Sequence, residues 1–423
     1  MTIILCIKSW LTGHGGAIFL LLSLGWVSSV AADAGFDNRP NVLLILADDL
    51  GYSDLGSYGS EISTPNLSEL AKNGLSFTNY HTAASCAPTR AMLLTGVNNH
   101  RAGVPNIPEM IPAAQRYANN YQGVLSKDAV TVASLLQTAG YDTYMAGKWH
   151  LGQTSDLLPS KRGFQRTLAL GDSGADNWEQ KPYIPIYDKA NWYADGEEYQ
   201  LPEDFYSSRF LIDKTIEFID SNSGNGKPFF AYVPFQAVHI PVQAPQAFID
   251  NYMGTYDQGW HELRQARLAR AITMGLVADT TQVLPMPTTD QWEDLSDERK
   301  RYESKRMAVY AGMIEAMDHH IGRLVNHLKQ TGQYDNTLFI FTSDNGPWLS
   351  YGNHSGSSGI YREGKGTTWE GGVRVPSIIK YPKKLKSNVI NEPVMGIDWL
   401  PTLAEFTQSQ LPEKKIDGAS LVP

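Results

Sequence analysis

Short runs of branched apolar residues alternate along this chain with stretches whose apolar positions recur at helical spacing. The run Asn41-Val42-Leu43-Leu44-Ile45-Leu46 has no polar break after its first residue, so it predicts a strand buried on both faces. Thr64-Pro65 is a helix-start pair, and the helix it opens should run to Asn73 and stop at Gly74. Residues 75–80 read as a second strand. Residues 88–95 and 130–138 read as helices, closed by Gly96 and followed by Gly140. Further strands are expected at 142–146, 229–235, 337–342 and 375–381, and helices at 205–221, 301–331 and about 398–408. The helix at 301–331 is the longest, with Met307, Tyr310, Ala311, Ile314, Met317, Ile321, Leu324 and Leu328 at helical spacing. Its His319 and His320 read as a surface pair.

Two segments break the pattern. Residues 171–205 are rich in aromatics (Trp178, Tyr183, Tyr187, Trp192, Tyr193, Tyr199) with little periodicity, and read as an excursion over the surface. Those rings either stack on a substrate or cover the core. Residues 246–300 read as a polar, partly helical insertion. Strands alternating with helices imply an α/β fold with a large, mostly parallel sheet between helices. Polar residues gather just past the strands: Asp48-Asp49, Lys148 and His150, His239, and Asp344-Asn345. The carboxyl ends of strands are where open α/β sheets bind ligands.

With 423 residues, 42% hydrophobic and 19% charged, the chain is long enough for a large core. Its net charge of −9, with no basic runs, argues against nucleic acid as a partner. Residues 1–32 read as a secretory leader: Lys8 precedes the apolar run 17–27, and Ser28-Ser29-Val30-Ala31-Ala32 offers small residues for cleavage. The run falls short of the roughly 20 residues a membrane span needs. The expected product is therefore exported, periplasmic or secreted, with no stable membrane anchor. Export favours disulfides, yet outside the leader (which holds Cys6) Cys86 is the only cysteine. It is either a buried apolar thiol or a residue used chemically.

Asp48, Asp49, Asp344 and Asn345 offer oxygen ligands, which suit Ca²⁺ or Mg²⁺; strand-end turns are the plainer use of such residues. If Cys86 opens a helix, Pro88 falls in the first turn and Arg90, four residues on, shares the face of Cys86. A helix N-terminus and a guanidinium fork both favour phosphate or sulfate oxygens.

Cys86-Ala87-Pro88-Thr89-Arg90, followed by Met92-Leu93-Leu94-Thr95-Gly96, resembles the signature of the type I sulfatases, the arylsulfatase family of the alkaline phosphatase superfamily. Asp48-Asp49-Leu50-Gly51-Tyr52, Gly147-Lys148-Trp149-His150-Leu151-Gly152, Val238-His239-Ile240-Pro241, Ser343-Asp344-Asn345-Gly346 and Arg362-Glu363-Gly364-Lys365 match in family order. The resemblance implies an alkaline phosphatase-like catalytic domain over 33–423, with 171–205 and 246–300 as insertions. It also implies that the chain lacks the small C-terminal antiparallel subdomain usual in relatives.

For chemistry, the resemblance implies that a maturation enzyme oxidises Cys86 to formylglycine, whose hydrate attacks the sulfur of a small-molecule or glycan sulfate ester. Asp48, Asp49, Asp344, Asn345 and residue 86 would hold Ca²⁺, ahead of Mg²⁺. Arg90 would steady the hydrate and His150 assist its collapse. Lys148 would bind sulfate, while His239 and Lys365 would bind it and help protonate the leaving oxygen. Thr89 stands where serine is commoner and Val97 where arginine is; the core Cys-x-Pro-x-Arg is intact, and conversion is expected.

Two alternatives share these residues: a formylglycine-dependent phosphonate monoester or phosphodiester hydrolase, and a non-catalytic binder of sulfated ligands with Cys86 left as a thiol. Residues 359–365 nearly spell a phosphate-binding loop, but Gly366 replaces the required Ser/Thr, so no nucleotide site is expected.

Overall fold

Strand β1 (Asn41–Ala47) is buried along its whole length, as its unbroken apolar run requires. In this computed structural model, which describes residues 39–283, 286, 289–349 and 356–422, β1 lies at the heart of a ten-stranded sheet. It pairs in parallel with β8 (Phe229–Pro234) and β9 (Thr337–Ser343). Beyond β8 come β4 (Asp142–Lys148) and β5 (Arg166–Leu170), also parallel. On the other side, β10 (Ser377–Lys380) runs antiparallel to β9 and leads to β2 (Leu75–Phe77) and β11 (Asn388–Ile390). A separate two-stranded sheet joins β3 (Tyr80–His81) to β12 (Val394–Met395).

Alternate residues of β1 feed two cores. Leu43, Ile45 and Ala47 join one with residues of α1 (Pro65–Lys72), α4 (Ser207–Ser221) and α7 (Asp297–Gln330). Val42, Leu44 and Leu46 join the other with residues of α2 (Cys86–Thr95), α3 (Val132–Thr138) and α9 (Trp399–Phe406). The expected mixed, mostly parallel sheet between helices is therefore the observed architecture.

The single strand expected at 75–80 is broken after Phe77 into β2 and β3, which belong to different sheets, and three further features differ from expectation. Residues 171–205 are not a surface excursion throughout, because β6 (Trp192–Ala194) and β7 (Glu197–Glu198) extend the sheet beyond β5. These strands are too short to show alternation; the turn between them, Asp195-Gly196, has positive φ at both residues, as tight hairpins favour. Helix α7 starts a turn early, since the Ser296 side chain caps it by accepting from the Arg299 N–H and Asp297 and Glu298 suit its positive end. His319 and His320 are not both on the surface: His319 is exposed, but His320 is buried and packs near Tyr206, and burial pushes its imidazole down to about 3.

Segment 246–300 contributes α5 (Gln246–Asp250) and α6 (Gly259–Thr273), so its helical part is real. The short helix α8 (Glu370–Val373) precedes β10. No helix of the described residues is long and apolar enough to cross a membrane. The proposed leader, residues 1–32, lies outside the described residues.

Candidate active site

Asp48 and Asp49 follow β1 directly, and Asp344 and Asn345 follow β9, its parallel neighbour. The register pairs Ala47 with Ser343, so both polar pairs emerge side by side. Asp49 takes the left-handed backbone, φ 63°, and its N–H donates to Asp344 Oδ1 at 3.1 Å. Lys148 ends β4, His150 lies two residues on at φ 56°, and His239 follows β8. Positive φ at two non-glycine residues of one site is strain held by the surrounding fold.

Helix α2 brings Cys86 and Arg90. All ten of its residues are buried, and Gly96 closes it in the left-handed conformation. Thr89 fixes the approach to the helix: its hydroxyl accepts from the Ala83 N–H at 2.9 Å and lies 3.2 Å from the Ala83 carbonyl. Arg90 donates from Nε and Nη2 to Asp344 Oδ2 (3.1 and 2.8 Å) and from Nη1 to the Lys148 carbonyl (2.7 Å). That one side chain thus ties α2 to β4 and β9.

Charge is dense and nearly balanced. Lys148 Nζ donates to Asp48 Oδ2, and Arg90 Nη2 stands 3.4 Å from the same oxygen. Lys365 Nζ reaches both Asp49 oxygens, at 2.7 and 2.9 Å. Burial lifts the Asp344 carboxyl, with Asp48 adding to this and Arg90 opposing it. Burial would lower Lys365, but Asp49 and the other nearby anions hold it well above the ordinary lysine value. Burial pushes the Cys86 thiol up to about 12, so an unmodified Cys86 is protonated at neutral pH and a weak nucleophile.

The histidines are held differently. His239 Nδ1 lies 2.6 Å from the Ile240 carbonyl, which only accepts, so Nδ1 carries the hydrogen and Nε2 the lone pair. Nε2 stands 3.7 Å from Asp49 Oδ2. Burial, with Lys365 and Lys148 nearby, keeps this imidazole neutral well below its ordinary value. His150 Nε2 lies 3.3 Å from Glu109 Oε2, while its Nδ1 is buried without a partner.

Among the described residues, Asp48, Asp49, Cys86 and His239 form one buried group able to hold a metal ion, with ligand atoms within 4.8 Å of one another. Asp344 is not in that close group. Asp48 Oδ1 and Asn345 Oδ1 are among the buried oxygens that have no hydrogen-bond partner within the described residues. Asn345 Nδ2 donates to Asp49 Oδ1 (2.7 Å) and to the Gly346 carbonyl (2.9 Å), which leaves its Oδ1 for a cation. Orphaned buried oxygens beside carboxylates fit a hard cation.

The residues expected for catalysis and metal binding, Asp48, Asp49, Cys86, Arg90, Lys148, His150, His239, Asp344, Asn345 and Lys365, are thus in this neighbourhood. Several that were not singled out for it are there too. Tyr183 meets the His239 ring edge-on at 5.2 Å between centroids, and Trp348 lies as close on a tilted plane. Lys365 Nζ is 4.4 Å from the centre of the Trp348 ring. Glu109 comes from a short turn at 108–110, and the Tyr187 hydroxyl donates to it. Glu109 sits in an aperiodic segment, so local pattern gave no sign of it. Residues 359–365 form turns followed only by the four-residue α8, which is no phosphate-binding loop.

Comparison with known proteins agrees with this geometry. A family model described as Sulfatase matches residues 40–409. An uncharacterized sulfatase of Schizosaccharomyces pombe is 36% identical, over 91% of this chain and 78% of its own. An arylsulfatase of Klebsiella aerogenes is 34% identical, over 93% and 91%. The crystal structure of Ps i-CgsB in complex with k-i-k-neocarrahexaose superposes with a TM-score of 0.69 at 30% identity, over 90% of this chain and 75% of that one. With the Cys86–Arg90 helix, the strand-end acids and the buried cations already in place, these likenesses show that the chain belongs to the sulfatase family, as a sulfuric ester hydrolase of arylsulfatase type on an alkaline phosphatase-like fold.

Proposed function

We propose that the protein hydrolyses sulfate esters of aryl or carbohydrate alcohols, using a formylglycine made from Cys86 and a bound Ca²⁺. One observation carries the proposal. Cys86, the cations Arg90, Lys148 and Lys365, and the orphaned oxygens of Asp48 and Asn345 share one buried place at the strand ends. The class of alcohol rests on the arylsulfatase relative and on the oligosaccharide complex of the structural relative.

Asp48, Asp49, Asp344, Asn345 and the side chain at 86 would hold the ion. When bound, the hydrated formylglycine supplies an oxygen nucleophile, and Ca²⁺ neutralises charge on the oxygens it touches. The carboxylates of Asp48, Asp49 and Asp344 are matched by Arg90, Lys148 and Lys365, so a divalent cation leaves a positive surplus suited to an anionic ester.

Lys148 and Lys365 bind sulfate oxygens as fixed, desolvated charges that need no reorganisation as charge develops. Arg90 holds its orientation through Asp344 and the Lys148 carbonyl, and presents positive charge to residue 86. His239 Nε2 has a free lone pair, and an arriving anion favours its protonation; the proton can then pass to the leaving oxygen. Lys365, kept protonated by its anions, assists there. His150 Nδ1, buried and unpartnered, takes a proton from an oxygen at residue 86.

Export through the leader at residues 1–32 belongs to the same proposal, as does conversion of Cys86 by a formylglycine-generating enzyme. The test is a parallel set of initial rates on one aryl group carried as sulfate, phosphate and phosphonate esters. Sulfate turnover should dominate in kcat/KM; phosphonate turnover far above sulfate would sink the proposal.

A further inference from the structure

Glu109 has no role in the chemistry above, yet its carboxylate meets the ring of His150, an active-site histidine whose other ring nitrogen has no partner among the described residues. Its Oε2 lies 3.3 Å from His150 Nε2, and its Oε1 accepts the Tyr187 hydroxyl. Its side chain is 13% exposed and that of His150 only 2%. The three residues come from separate parts of the chain: the turn at 108–110, the loop just past β4, and the aromatic segment 171–205. An ionised carboxylate only accepts hydrogen bonds, so the ring nitrogen facing it must carry the hydrogen.

We propose that Glu109, braced by Tyr187, is a positioning residue that fixes His150 as the Nε2–H tautomer and leaves Nδ1 with the lone pair that accepts a proton at residue 86. The role of the proton acceptor rests on the functional proposal; the tautomer does not. When Nδ1 gains the proton, the ring's positive charge faces the Glu109 carboxylate, which offsets the cost of burying it. The other charged or titratable groups bearing on this ring are Lys148 two residues before it, Arg90 from α2, and His239 after β8, and Asp172 bears on Glu109 and Tyr187. The cations disfavour a charged imidazole, so Glu109 is the group that opposes them. It is itself held down to about 2: burial acts against this, but His150 and the Tyr187 hydroxyl overcome it.

The tautomer is read directly from ¹⁵N chemical shifts of the His150 ring nitrogens at neutral pH. We expect a protonated Nε2 and a bare Nδ1, and a mixed population in Glu109→Ala. An Nδ1–H ring in the parent, or no change in Glu109→Ala, would overturn the proposal.

Kinetics give the second reading, with conversion of residue 86 verified by peptide mass. Glu109→Gln should lower kcat by roughly 10–100-fold, leave KM within about 3-fold, and move the acidic limb of the kcat–pH profile to lower pH. Tyr187→Phe should shift both in the same direction by less, which covers the case in which Glu109→Gln folds poorly. In a His150→Ala background, Glu109→Gln should cost nothing more; an equal loss there, or a loss through KM alone, would place Glu109 outside this role. If converted parent enzyme turns over no sulfate ester, the functional proposal fails while the nitrogen shifts still decide the tautomer.

Discussion

Arg90 Nη2 stands 2.8 Å from Asp344 Oδ2, and neither side chain has any exposed surface. Removing one partner of such a pair leaves an uncompensated buried charge. Arg90→Ala should therefore destabilise the protein by about 3–5 kcal/mol. Arg90→Lys keeps the charge but loses the fork that grips Asp344 and the Lys148 carbonyl, and should fall between. Urea unfolding measures both; an Arg90→Ala cost below about 1 kcal/mol would mean that Asp344 is solvated or protonated without Arg90.

Calcium should stabilise the folded chain by mass action. At a hundred times its Kd the gain is about 2.7 kcal/mol, visible as a rise in Tm that a chelator reverses. Asn345→Ala removes an orphaned oxygen beside the carboxylates and should weaken that response. If saturating calcium leaves the Tm of the parent unchanged, these oxygens do not hold it.

Gly147 sits at φ 141°, and a Cβ there would lie 1.9 Å from the Pro234 carbonyl oxygen. Gly147→Ala must push β4 away from the end of β8, and Lys148 moves with it. Lower Tm and lower kcat/KM are both expected from one methyl group far smaller than any substrate. A variant with parent-like activity would show that Lys148 tolerates displacement.

The buried His150 ring should make stability depend on pH. Burial holds it down to about 4 against the pull of Glu109, with Lys148 and Arg90 adding to the depression, while its ordinary value is 6.5. Between those values the unfolded chain binds a proton that the folded chain refuses. Its contribution is thus full above about 6.5 and is lost as pH falls toward about 4. Replacing it by His150→Gln should flatten the fall between pH 7 and 5 by roughly 2 kcal/mol. Equal falls in urea-derived stability for parent and variant would count against a neutral buried ring.

Strand β1 was legible because the unbroken apolar run over 42–46 needs no context to declare itself. The strand-end acids were legible for the same reason: they interrupt that run abruptly. Cys86 and Arg90 stood out by spacing, and Thr89 could be read as a retained hydroxyl, which the structure employs to hold Ala83. Strands β6 and β7 escaped notice because they are three and two residues long, although Asp195-Gly196 is a hairpin signal in its own right. Glu109 and Tyr187 were out of reach for a different reason. Their meaning lies in a contact between residues 78 positions apart, and neither local pattern nor composition encodes such a contact.

The most direct check is the mass of the peptide carrying residue 86, taken from protein that is turning over an aryl sulfate. We expect formylglycine, seen as loss of sulfur and two hydrogens and gain of one oxygen relative to cysteine. An intact cysteine thiol in fully active protein would overturn the proposed chemistry.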